Sequence, residues 1–137
     1  MSVQSAERTV LVVDDEEVVR ILIARALTEA GYRVVLAING VEATAILGPD
    51  TPAVDLVICD LVMPVMTGRD LARWLGAHRP ELPILFISGY PRAYLEAHDL
   101  HDPGIPLLRK PFLPSRLLES VEEMLTMVGG GRGGSGR

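Results

Sequence analysis

Five short runs dense in aliphatic and β-branched residues recur along the chain: TVLVV from Thr9, RVVLAI from Arg33, AVDLVICD from Ala53, LPILFIS from Leu82 and IPLLRK from Ile105. Each is nearly continuous in apolar residues, the pattern of a strand covered on both faces. Between them apolar positions return every three or four residues. Val19, Leu22, Ile23, Ala26, Leu27 and Ala30 trace one helix, with Gly31 where a helix end favours positive φ. A weaker helix is expected from about Val41 to Leu47, and a third carries Leu71, Trp74 and Leu75 before stopping near Pro80. A fourth runs from Pro91 to about Leu100, ahead of Pro103 and Gly104. Pro114 suits the first turn of the last, whose face is Leu117, Val121, Met124, Leu125 and Val128.

Strands alternating with helices predict an α/β fold, a (βα)5 chain on a parallel five-stranded sheet. Right-handed crossovers leave few topologies, and the common doubly wound, flavodoxin-like one has strand order 2-1-3-4-5. Residues 9–128 make this domain, after an extension at 1–8. The glycine-rich segment 129–137, GGGRGGSGR, reads as a flexible tail and is left out of the fold.

Composition narrows the function classes. The 137 residues are 48% hydrophobic and 23% charged, as in one soluble globular domain. A net charge of −5 without a concentrated basic face argues against direct nucleic-acid binding. Cys59 is the only cysteine, so no disulfide or cysteine-built metal site forms within one chain. The N-terminus lacks the apolar core of a signal peptide and no run reaches membrane-spanning length, so a cytoplasmic protein without a membrane partner is expected.

In the doubly wound arrangement reactive groups lie at the carboxyl ends of the strands. Asp14 and Asp15 end the first strand, Asp60 the third, Ser88 the fourth and Lys110 the fifth. Carboxylates about 5 Å apart repel by roughly 3 kcal/mol at an effective dielectric near 20, so three acids together need a countercharge. Mg²⁺ takes oxygen ligands and commonly combines one or two carboxylates with a phosphate oxygen, whereas zinc favours His or Cys. If a phosphoryl group arrives, Asp60 is best placed to be its nucleophile, with Lys110 as fixed cation and Ser88 as hydroxyl donor.

Taken together, VVDDEE, VICDLVMPVMTG, ILFISGY and LLRKPF resemble the receiver domain of two-component response regulators. The resemblance covers roughly Thr9 to Val128, and four motifs in order are far more specific than any one. It implies that Asp60 is the phosphoacceptor, supplied by a histidine kinase or histidine phosphotransfer protein. It further implies Mg²⁺ bound by Asp15 directly, by Asp14 mainly through water, by Asp60 and by the Val62 carbonyl. Ser88 matches the switch hydroxyl, Lys110 the phosphate-pairing lysine, and the Lys110–Pro111 bond one that is usually cis. Output is expected through protein contacts on the surface of the fourth helix, fifth strand and fifth helix, with a homodimer on phosphorylation left open. The SGY motif and following loop are also similar to receivers of hybrid sensor kinases and to stand-alone receivers.

The chain departs from the pattern at Leu107, where most receivers carry Tyr or Phe, and Tyr90 is expected to replace that ring. By the resemblance, Val62 and Tyr90 occupy positions that tune how easily water reaches the acyl phosphate, and their bulk implies slow self-hydrolysis; the chain is expected to be a phosphoacceptor rather than an enzyme. A true aspartyl phosphatase would want an acid two residues after the nucleophile, where Val62 stands. A phosphorylation-independent interaction module with the same fold is the alternative.

The remaining polar and sulfur residues have plainer readings. Glu16 and Glu17 are expected to serve the first helix's dipole, and Cys59, Trp74, Met124 and Met127 to pack. The three histidines lack metal spacing.

Overall fold

The computed structural model describes residues 8–49 and 53–135, with side chains described to residue 127. Five parallel strands, β1 (Thr9–Val13), β2 (Arg33–Ala37), β3 (Leu56–Asp60), β4 (Ile84–Ser88) and β5 (Leu107–Arg109), lie in the order β2-β1-β3-β4-β5. The expected (βα)5 order is therefore the observed one. Between and after them run α1 (Glu17–Glu29), α2 (Gly40–Ile46), α3 (Gly68–His78), α4 (Arg92–Ala97) and α5 (Pro114–Ser135).

Strand periodicity divides the core into two layers. Val10, Val12, Ile58, Leu85 and Ile87 face α1 and α5, meeting Ile23, Leu27, Leu117 and Val121. Leu11, Val13, Val57, Cys59 and Phe86 face the other helices, meeting Ala43, Leu71, Leu75 and Leu95. All five positions of both β3 and β4 are buried, which is why their sequences do not alternate.

Gly31 ends the turn after α1 with φ 100°, in the region that favours glycine. On α1 the buried stripe is Ile23, Ala26 and Leu27, whereas Leu22 is exposed despite its place in the apolar periodicity. A helix against a flat sheet covers only part of its circumference, and Leu22 turns instead into an open groove beside Pro111 and Phe112. Met127, expected to pack, is likewise exposed, while Met124 one turn earlier is buried. The backbone of α5 continues through Ser135, beyond the boundary expected at Val128. Residues 1–7 of the extension expected at 1–8, the Val128 side chain and residues 136–137 lie outside the described residues.

Candidate functional site

Two strand ends deliver three carboxylates to one point. Asp14 follows β1 and is fully buried, Asp15 is exposed beside it, and Asp60, the last residue of β3, is buried. One carboxylate oxygen from each lies within 4.8 Å of the others. Lys110, one residue past β5, reaches across this edge. Its Nζ donates to Asp14 Oδ2 at 3.1 Å, Glu16 Oε1 at 3.4 Å and Asp60 Oδ2 at 3.5 Å. Three carboxylates thus gather round one ammonium, with the Asp15 carboxylate beside them, an anionic surplus that suits a cation.

Local bonds fix these groups. Asp14 Oδ1 accepts from the Glu16 N–H at 2.8 Å, and Asp60 Oδ1 from the Val62 N–H at 3.4 Å. The loop after Asp60 is drawn back on itself by the Gly68 N–H donating to the Leu61 carbonyl at 2.9 Å. A Cβ on Gly68 would stand 2.7 Å from the Asp60 carbonyl oxygen, so the start of α3 presses directly on the backbone of Asp60. Thr67 caps α3 in a reciprocal pair with Asp70.

Burial and charge set the protonation of the cluster. Burial pushes the Asp60 carboxyl up to about 6, with the Asp14 carboxylate adding to the shift and Lys110 opposing it. Asp14 is also raised by burial, against the lowering effect of the Glu16 N–H and Lys110. Burial acts to lower Lys110, but the Asp60 and Asp14 carboxylates outweigh it and its pKa is raised. The ammonium therefore stays charged.

Ser88 ends β4 fully buried, and its Oγ accepts from the Tyr90 N–H at 3.0 Å. Tyr90 points outward onto α4 and stacks on Tyr94, which packs against His98. Leu107 is half-buried against the core and pairs in register with Phe86. The Lys110–Pro111 bond is cis. Cys59 is buried, and His78 stacks on Trp74.

Glu16 corrects the sequence reading. It occupies the N-cap of α1 without capping it, and its carboxylate turns to Lys110 instead. Arg20 was not anticipated: its guanidinium donates to the Asp14 carbonyl at 2.7 Å. Its one available signal was a cation six residues after Asp14 on the turn of helix next to the acids.

The chain belongs to the response regulator receiver domain family, whose model matches residues 10–122. It is 40% identical over 121 residues to the sensor kinase CckA of Brucella abortus (strain 2308), a match covering 88% of this chain and 13% of that protein. It is 34% identical over 116 residues to the response regulator MprA of Mycobacterium ulcerans (strain Agy99), covering 85% of this chain and 49% of that one. This chain therefore spans half or less of the length of these relatives. Among solved structures it is similar to the response regulator TrrA of Thermotoga maritima in complex with Mg(2+)-BeF, at 29% identity and a TM-score of 0.69, over 85% of this chain and 97% of that one. Among the described residues, no helix is long and apolar enough to cross a membrane.

Proposed function

We propose that this chain is the phosphoacceptor of a phosphorelay, receiving a phosphoryl group from a histidine kinase or histidine phosphotransfer protein onto Asp60. The observation that carries this reading is the meeting of Asp14, Asp15 and Asp60 with Lys110 at one sheet edge in a member of the receiver family. The donor set is all carboxylate oxygen, without His or Cys, and so fits Mg²⁺, the ion bound in the TrrA complex. Asp15, Asp14, Asp60 and the Val62 carbonyl would hold it. When bound, the ion neutralises charge on the phosphoryl oxygens.

An Asp60 oxygen attacks phosphorus while the bond from phosphorus to the donor's imidazole nitrogen breaks, leaving an acyl phosphate. Lys110, already directed at Asp60, pairs with the phosphoryl charge. Ser88 Oγ accepts from Tyr90 and makes no other hydrogen bond with a described residue, so its proton is free for a phosphoryl oxygen. Tyr90 then links that oxygen to the stacked rings of α4, in the role left open by Leu107. Output follows through protein contacts on α4, β5 and α5, in the cytoplasm, without enzymatic turnover beyond slow self-hydrolysis.

The test is the intact-protein mass after incubation with Mg²⁺ and acetyl phosphate. One phosphoryl adduct is expected on the native chain and none on Asp60→Asn. Leu107 favours the second reading, a phosphorylation-independent interaction module. Absence of an adduct together with no binding of beryllofluoride in Mg²⁺ would select it.

A further inference from the structure

Of the three clustered acids, two are held through their carboxylates and one is not. Asp14 is gripped by Lys110 and by the Glu16 N–H, and Asp60 by Lys110 and the Val62 N–H. The Asp15 carboxylate is exposed and makes no hydrogen bond or ion pair with any described residue. Its place within 4.8 Å of the other two is therefore set by its backbone. The peptide that enters Asp15 carries the Asp14 carbonyl, and that carbonyl accepts from Arg20 Nη1 at 2.7 Å.

Arg20 is well suited to pin this peptide. It is half-buried on the first turns of α1, and its own N–H donates to the Glu16 carbonyl at 3.1 Å, which joins it rigidly to the helix start. The helix has no side-chain cap, because Glu16 is turned to Lys110. The Arg20 guanidinium thus stitches the Asp14 carbonyl to α1, alongside the bond from the Arg20 N–H to the Glu16 carbonyl, while the bond from Glu16 N–H to Asp14 Oδ1 closes the turn itself. A charged donor to a carbonyl is among the stronger hydrogen bonds.

We propose that Arg20 is a positioning residue for divalent-cation binding: by fixing the Asp14–Asp15 peptide it holds the otherwise untethered Asp15 carboxylate in the cluster. The proposal rests on the reading of the cluster as a Mg²⁺ site. Its sign separates it from a simple charge effect. A guanidinium near a cation site repels the cation, so Coulomb's law alone has Mg²⁺ binding tighten when Arg20 is neutralised. Positioning has it weaken.

The experiment is calorimetric titration of the full chain with MgCl₂, comparing native protein, Arg20→Met and Arg20→Lys, with thermal melts of each in EDTA. Arg20→Met keeps the apolar stem and loses the donors. Its Kd for Mg²⁺ is expected to rise at least fivefold, with Arg20→Lys between it and the native value. In metal-free protein, hydrogen exchange at the Asp15 amide should quicken in Arg20→Met while the Leu27 amide in the same helix keeps its rate. An unchanged or tighter Kd in Arg20→Met overturns the proposal. If that variant does not fold, the Arg20→Lys titration decides alone, an unchanged Kd again counting against it. Native protein that binds no Mg²⁺ removes the metal-site reading first, a result distinguishable because it appears without any substitution.

Discussion

The two flanks of the acid cluster are built differently. On the flank of Asp60, the proposed acceptor, the loop from Asp60 to α3 is held at nearly every step. Met63 is buried, Met66 fills the space above Gly40 that a Cβ would occupy, Gly68 bonds back to Leu61, and Thr67 caps an eleven-residue helix. Even the exposed Val65 is kept at φ 72° by a tight turn in which the Met66 N–H donates to the Pro64 carbonyl at 2.8 Å. A β-branched residue adopts that backbone only when its surroundings impose it. On the opposite flank, α4 has six residues, no side-chain cap and one buried residue, Leu95, and β5 has three residues. One visible tie to the acceptor flank is the pairing of Arg69 with Asp99.

The difference fits a division of labour. Under the proposed function, the nucleophile needs a fixed backbone, whereas an element that reports a new charge must be movable at small cost, which is the property of segments with few buried contacts. Ser88 and Tyr90 stand at the junction of the two.

The largest expected effect breaks the acceptor flank. Gly68→Ala sets a Cβ 2.7 Å from the Asp60 carbonyl oxygen and 2.9 Å from Leu61 Cα, both backbone atoms that cannot rotate away. Destabilisation of about 3 kcal/mol is expected by urea unfolding, at the upper end of overpacking costs. Alanine's higher helix propensity offsets only part of it, by about 1 kcal/mol.

A smaller effect, of opposite sign, sharpens the charge side of the comparison. In metal-free protein the folded Asp60 keeps its proton to about 6, against an ordinary value of 3.8. Between those values the folded chain binds more proton than the unfolded one, so stability falls as pH rises through the window. The cost is fully present above about 6 and absent below the ordinary value. Asp60→Asn should therefore stabilise the EDTA-treated protein by about 2 kcal/mol at neutral pH, and the gain should vanish in melts near the acid end of the window. A gain that grew on acidification would contradict the assigned shift.

Much of this was legible in the sequence. The continuous apolar runs at Val57–Cys59 and Leu85–Ile87 could only be two-faced strands, and parallel connectivity then placed Asp14, Asp60, Ser88 and Lys110 along one edge. What escaped was side-chain direction at the ends of helices. Periodicity put Leu22 on an apolar face and Met127 was expected to pack, but the sheet covers a narrower arc of each helix than these readings suggest. Glu16 looked like a dipole partner because its pull toward Lys110, 94 positions away in sequence, depends on tertiary placement. Arg20 was hidden for the same reason, since its acceptor is a backbone carbonyl and carries no signature of its own.

The account's central claim, a fixed acceptor flank and a responsive α4 flank joined through Tyr90, is tested most directly by amide hydrogen exchange with and without Mg²⁺ and beryllofluoride. Exchange at Leu95, His98 and Leu100 is expected to change severalfold on adding the phosphoryl mimic, while Gly68 and Leu71 keep their protection, and Tyr90→Ala should abolish the change without preventing beryllofluoride binding. Equal changes on both flanks, or a response on α4 that survives Tyr90→Ala, would contradict it.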